Sequence, residues 1–174
     1  MGFLTGKTAI ITGAGRAVLK DGSCGSIGYG IATAYAKEGA NLVITGRNVK
    51  KLEAAKQELE NLYGIKVLTV QADVCAGGDN EATVANVVKQ AVDTFGGIQV
   101  LINNAQASAS GVPRAEHTTE QFDLAIYSGL YAAFYYMKAC YPYILFKSKF
   151  HKFNYSRNYF KLGLFPLLLP LVLL

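Results

Sequence analysis

The sequence predicts an α/β protein: a doubly wound parallel sheet with its strands in the spatial order 3-2-1-4. Three observations predict it. Short apolar, β-rich runs alternate with segments of helical period from the first residues onward. The segments joining successive runs are long enough to be helical crossovers, which parallel strands require. Right-handed crossovers then fix the order of four such strands.

Each element has its own signal. Lys7 to Thr12 is β-rich and stops at Gly13, as a buried parallel strand would. Ile27 to Lys37 carries Ile27, Ile31, Ala34 and Tyr35 on one helical face, and Gly39 ends it. Asn41 to Thr45 is the second strand, and Asn48 to Leu62 a charged amphipathic helix closed by Gly64. Lys66 to Gln71 is the third strand, followed by a helix over 80–95 that Gly96-Gly97 stops. Ile98 to Ile102 is the fourth strand. Thr118-Thr119-Glu120-Gln121 resembles a capping box and opens a long helix to about Pro142.

The net charge of +5 is unevenly placed. Residues 1–123 hold 11 Lys+Arg and all 12 Asp+Glu, whereas residues 124–174 hold six Lys+Arg and no acid. The basic excess therefore belongs to the C-terminal part and gives the main domain no nucleic-acid-binding face. Three cysteines, Cys24, Cys75 and Cys140, form no C-x-x-C pair. Reduced thiols in a cytoplasmic protein, without a metal site, are expected. The first strand begins within a few residues of Met1, so no signal peptide is expected.

From about Ile144 the helical and strand periods are lost. Leu162 to Leu174 is nearly all Leu but is interrupted by Pro166 and Pro170. It is shorter than the roughly 17–25 residues of a spanning helix, so a membrane anchor is the weaker reading. Residues 144–174 are read as an atypical basic, Leu-rich tail, either native or the product of out-of-frame translation. The latter better explains the sudden loss of acids.

Thr12-Gly13-Ala14-Gly15-Arg16 follows the first strand, and Ser26-Ile27-Gly28 opens the first helix. Glycines there let a backbone approach a pyrophosphate, with the free N–H groups of a helix start beside it. Asp73-Val74 follows the third strand, and Asn103-Asn104-Ala105-Gln106 ends the fourth. With Gly97-Ile98-Gln99-Val100-Leu101-Ile102 ahead of it, this ordered set resembles the short-chain dehydrogenase/reductase family over residues 5–143. The resemblance implies a partial Rossmann-like NAD(P)-binding domain over 1–143. It also implies cofactor contacts at Gly13, Arg16, Ser26, Ile27, Gly28, Arg47, Asp73, Val74, Asn104, Ala105 and Gln106. Complete relatives move hydride between a dinucleotide and a small carbonyl or alcohol, and associate through the long helix.

Two departures stand out. Gly13 and Gly28 are 15 positions apart against six in the family, so Ala17–Gly25 is an insertion, read as an outward excursion. Gln106 replaces the last glycine of N-N-A-G, crowding the backbone near the nicotinamide-side ribose.

Cofactor choice turns on Thr45-Gly46-Arg47. An acid after the second strand would bind the 2′-hydroxyl of NAD, but none lies between Glu38 and Glu53. Arg47 could instead hold a 2′-phosphate through its planar fork, which favours NADP(H) over NAD(H).

The family's catalysis is attributed to Ser, Tyr and Lys, helped by an Asn on the long helix. Tyr needs a neighbouring ammonium because an unperturbed phenol, at about 10, is too weak an acid. Here Gly129 stands at the Asn position, and no Ser-bearing fifth strand is readable. Tyr143-Ile144-Leu145-Phe146-Lys147 matches Y-x-x-x-K but follows Asn103 by only 40 residues. No catalytic residue is assigned. The readings left are an NADP(H)-dependent oxidoreductase, a non-enzymatic nucleotide-binding remnant, or a membrane-tethered domain.

Overall fold

The computed structural model describes residues 2–75 and 80–147. Its elements are β1 (Thr8–Thr12), α1 (Ile27–Lys37), β2 (Asn41–Gly46), α2 (Val49–Tyr63), β3 (Val67–Gln71), α3 (Asn80–Phe95), β4 (Val100–Ile102), α4 (Thr119–Ile126) and α5 (Ala132–Lys147). The sheet has the order β3-β2-β1-β4 with all three pairings parallel, as the crossovers require. Residues 148–174, which include the Leu-rich segment read as a candidate anchor, lie outside the described residues. Among the described residues no helix is long and apolar enough to cross a membrane.

Successive strand residues point to opposite faces, yet both faces are covered, so the strands are apolar throughout. Ala9, Ile11, Leu42, Ile44, Val100 and Ile102 pack with Leu52, Ala55 and Leu59 of α2 and Ala32 and Ala36 of α1. Ile10, Val43, Val70 and Leu101 pack on the other face with Val84, Val87 and Val88 of α3 and Tyr136 and Cys140 of α5.

The structure corrects four expectations. The buried face of α1 is Gly28, Tyr29, Ala32 and Ala36, while Ile27 is 77% exposed. A helix lying this close to the chain beneath it needs small residues, and that demand outweighs apolar spacing. β4 starts two residues late, because the side chain of Gln99 accepts the Thr8 N–H (2.7 Å) ahead of the ladder. The long helix is broken by a π turn over Tyr127–Tyr131. Its cause is Ser128, whose hydroxyl donates back to the Leu124 carbonyl (2.8 Å) while accepting from the Ala107 N–H (2.9 Å). Finally, α5 continues through Pro142 to Lys147, past the expected break.

The capping box is present, with Thr118 and Gln121 each accepting the other's backbone N–H. Tyr127, Tyr131 and Tyr135 follow at four-residue spacing, their neighbouring rings 5.3 and 6.1 Å apart. Tyr143 packs against the α3–α5 core.

Tyr136 faces the opposite way and is 1% exposed. Its hydroxyl lies buried beside that of Thr45 without a well-formed hydrogen bond, and burial pushes it up to about 12. The ring, not the hydroxyl, carries the stabilisation. Tyr136→Phe should change stability by less than about 1 kcal/mol, whereas Tyr136→Ala should cost about 3–5 kcal/mol. Urea denaturation of both variants measures the contrast.

Candidate functional site

The carboxyl ends of β1 and β4 are fastened by two side chains. The Thr12 hydroxyl accepts the backbone N–H groups of Asn104 (3.0 Å) and Ala105 (2.9 Å). The Asn104 carboxamide donates back to the Thr12 carbonyl (2.8 Å). On the other side, Gly13 and Ala14 both donate to the Thr45 carbonyl at the end of β2 (2.8 and 3.1 Å). Three strand ends are thus tied to one turn.

The inserted segment leaves this turn and returns to it. Val18 and Cys24 form an antiparallel bridge, and Gly25 donates to the Ala17 carbonyl (2.8 Å). Residues 19–25 are exposed, so the excursion is a small hairpin in solvent. Its closed base lets α1 start where it must. Ser26 caps the helix, accepting from the Tyr29 N–H (3.4 Å). Gly28 sits against the turn: a Cβ there would lie 2.3 Å from the Gly13 carbonyl oxygen and 2.5 Å from the Asn104 amide nitrogen.

Two adjoining clefts open at these strand ends, the position where doubly wound sheets take ligands. One, of about 230 Å³, is lined by Gly13, Thr45–Arg47, Ala72–Cys75 and Asn104–Ala107. The other, of about 320 Å³, is lined by Arg47, Gln71, Ala72, Asp73 and Thr83. They share Arg47, Ala72 and Asp73 as a common wall. Asp73 holds its loop by accepting the Cys75 N–H (2.9 Å), and Asn80 does so by donating to the Val74 carbonyl (2.9 Å). Burial, then the Asp73 charge, pushes the Cys75 thiol up.

Of the sequence-derived site residues, Gly13, Arg47, Asp73, Val74, Asn104, Ala105 and Gln106 line the clefts. Arg16, Ser26, Ile27 and Gly28 line neither. Arg16 instead pairs with Glu58 of α2 beside the Tyr29 hydroxyl. The hydrogen bond from Arg16 holds the Glu58 carboxyl below its usual range, against burial, which pushes the other way. Sequence reasoning named Thr45 and Gly46 only as the run leading to Arg47, and it assigned no site role to Thr45, Gly46, Gln71, Ala72, Cys75, Thr83 or Ala107. The first six are apparent once β2, β3 and α3 lie side by side. Ala107 is held by Ser128, through a bond no local motif announces.

Fold and cleft together define a Rossmann-like protein open at the carboxyl ends of its strands. The sequence profile of the short chain dehydrogenase family matches residues 7–150. A 12alpha-hydroxysteroid dehydrogenase of Clostridium sp. is 60% identical over 144 residues, covering 83% of this chain and 53% of that protein. The L-sorbose reductase of Gluconobacter frateurii, solved with NADPH and L-sorbose, superposes with a TM-score of 0.69 at 30% identity. That match covers 83% of this chain and 49% of the reductase. A xylitol dehydrogenase solved with NAD+ superposes equally well, with a TM-score of 0.69 at 26% identity, over 82% of this chain and 49% of that one. The chain belongs to the short-chain dehydrogenase/reductase family, an oxidoreductase family, and spans about half the length of the curated relatives it matches.

Two outcomes are expected at this site. Gly28→Ala puts a methyl group into the Gly13 carbonyl, so it should lower the melting temperature, as thermal melts would show. Glu58 has a lowered folded-state pKa, so its stabilisation is present above its ordinary 4.5 and lost as pH falls through the folded value. The gap in melting temperature between wild type and Glu58→Gln should therefore be open at pH 7 and closed once Glu58 is protonated.

Proposed function

We propose that the clefts bind NADP(H), with Arg47 on the 2′-phosphate, Asp73 and Val74 at the adenine, and Gly13, Asn104, Ala105 and Gln106 along the rest. Arg47 carries the reading. It follows β2 in the wall shared by both clefts, no acid lies between Glu38 and Glu53, and among the described residues it has no ion-pair partner. A guanidinium left free in a cleft is suited to a phosphate, which it can grip with two parallel hydrogen bonds. The close seat of Gly28 on Gly13 supports the reading, because it keeps side chains out of the turn that a pyrophosphate must approach. Arg16, Ser26 and Ile27 then act indirectly, by holding that turn and starting α1.

When bound, such a cofactor supplies hydride to a carbonyl or takes it from an alcohol. We propose that chemistry for the whole protein, with a hydroxysteroid as the substrate class suggested by the 60% identical dehydrogenase. The 174 residues alone are proposed to bind nucleotide without turnover, since among the described residues no tyrosine lines either cleft. Three free cysteines agree with a cytoplasmic setting.

Calorimetric titration with NADP+ and NAD+ tests the cofactor. NADP+ should bind more tightly, and Arg47→Ala should cost it about 1.5–3 kcal/mol, roughly tenfold to a hundredfold, leaving NAD+ little changed. Equal affinities would overturn the assignment. Incubation with NADPH and a panel of oxosteroids should give no oxidation above background. Turnover that Tyr143→Phe removes would show that tyrosine to be the proton donor instead.

A further inference from the structure

The turn after β1 is fastened to α2 as well as to the strands, and the fastening runs along the helix. The Arg16 N–H donates to the carbonyl of Lys51 in the first turn of α2 (2.8 Å). Its guanidinium pairs with Glu58, about two helical turns further along the same face. Gly15 lies so near this face that a Cβ there would be 3.1 Å from the Lys51 Cβ. Arg16 is thus held along α2, its backbone at one end and its charge at the other.

A third element meets the same carboxylate. Tyr29, on the buried face of α1, brings its hydroxyl to the Arg16–Glu58 pair. Burial, then the hydrogen bond to Glu58, pushes this phenol up, so it stays protonated. The turn, α1 and α2 therefore converge on Glu58. An ion pair whose side chains are 40% and 32% exposed contributes little to overall stability. Its worth is positional. Arg16 is the last residue before the inserted excursion, whose base closes only between Ala17 and Gly25. The insertion lengthens the connection that would otherwise restrain the far end of the turn, and the contacts with α2 supply that restraint.

We infer that Glu58 is a positioning residue for nucleotide binding: through Arg16 it clamps the turn after β1 to α2 and so holds Gly13 in place at the cleft. This rests on the NADP(H) reading above. Glu58 lines neither cleft and touches no ligand itself. Arg16 acts through the clamp and not on a phosphate.

The test titrates Glu58→Gln, Arg16→Gln and the double variant with two probes. NADP+ reaches the turn, whereas adenosine 2′-monophosphate carries the phosphate assigned to Arg47 and no pyrophosphate. Glu58→Gln should weaken NADP+ about twofold to fivefold, the worth of a partly exposed ion pair, and leave the monophosphate unchanged. Arg16→Gln should do the same, and the double variant should be no weaker than either alone. Amide hydrogen exchange of the ligand-free protein gives a second readout. Residues 13–16 should exchange faster in all three variants, while Ile10 and Val43 in the sheet keep their protection. The inference is overturned if Glu58→Gln leaves NADP+ binding unchanged or strengthens it while Arg16→Gln weakens it, because Arg16 would then hold the ligand directly. Equal loss of both probes, additive loss in the double variant, or unchanged exchange at residues 13–16 also overturns it. A wild-type protein that binds neither probe overturns the dinucleotide reading instead, and the exchange rates then decide the clamp on their own.

Discussion

The tie between Thr12 and Asn104 is the constraint on which the rest of the cleft depends. A parallel sheet leaves the carboxyl ends of its strands with backbone groups that no ladder partner satisfies. At β1 and β4 those groups are spent on each other: one hydroxyl takes two N–H groups, and one carboxamide answers to the carbonyl behind it. The turn at Gly13 is then fixed from the β4 side by Asn104 and from the β2 side by the Thr45 carbonyl. Gly28 lies on that turn so closely that a Cβ there would meet the Gly13 carbonyl oxygen. A cleft wall assembled this way is rigid without being filled.

The same logic explains why nine inserted residues do not disturb it. Ala17 and Gly25 are joined by a hydrogen bond, so the chain re-enters beside the point where it left. The hairpin between them is closed by its own bonds, including those from Ser23 to Asp21. What the fold requires of this stretch is the distance between Gly13 and Gly28 in space, and their distance along the chain is free to vary. The Arg16–Glu58 pair braces the near side of the hairpin against α2.

Alternation of apolar runs and helical segments sufficed to read the sheet and its order, because burial on both faces makes each strand a continuous apolar run. The places of Gly13, Asp73 and Asn104 in the cleft lining were legible for a related reason: each lies within two residues of a strand's carboxyl end, where local sequence decides position. What was not legible depends on partners distant in sequence. The face of α1 is set by its approach to Gly13, the start of β4 by the Gln99 side chain, and the π turn by Ala107 meeting Ser128. The pairing of Arg16, named from the resemblance as a cofactor contact, with Glu58 could not be read because the two lie 42 residues apart. None of these contacts leaves a periodic trace.

The joined clefts are also electrically uneven, and this bears on what can lie in them. The wall shared by both holds the charges, Arg47 and Asp73, at the ends of β2 and β3. The far wall of the first cleft, Asn104 to Ala107, holds only neutral amides and small apolar groups. Charged groups on a ligand gain most where a fixed opposite charge meets them in a partly enclosed space, and neutral hydrogen-bonding groups gain most where amides are already oriented. A ligand with its phosphate on one end and neutral polar groups on the other satisfies both walls in one orientation. Reversed, it would set a phosphate against amides that lack a compensating charge and leave Arg47 facing a neutral group. The order of β3-β2-β1-β4 therefore does more than build the cleft, since it also gives the cleft a direction.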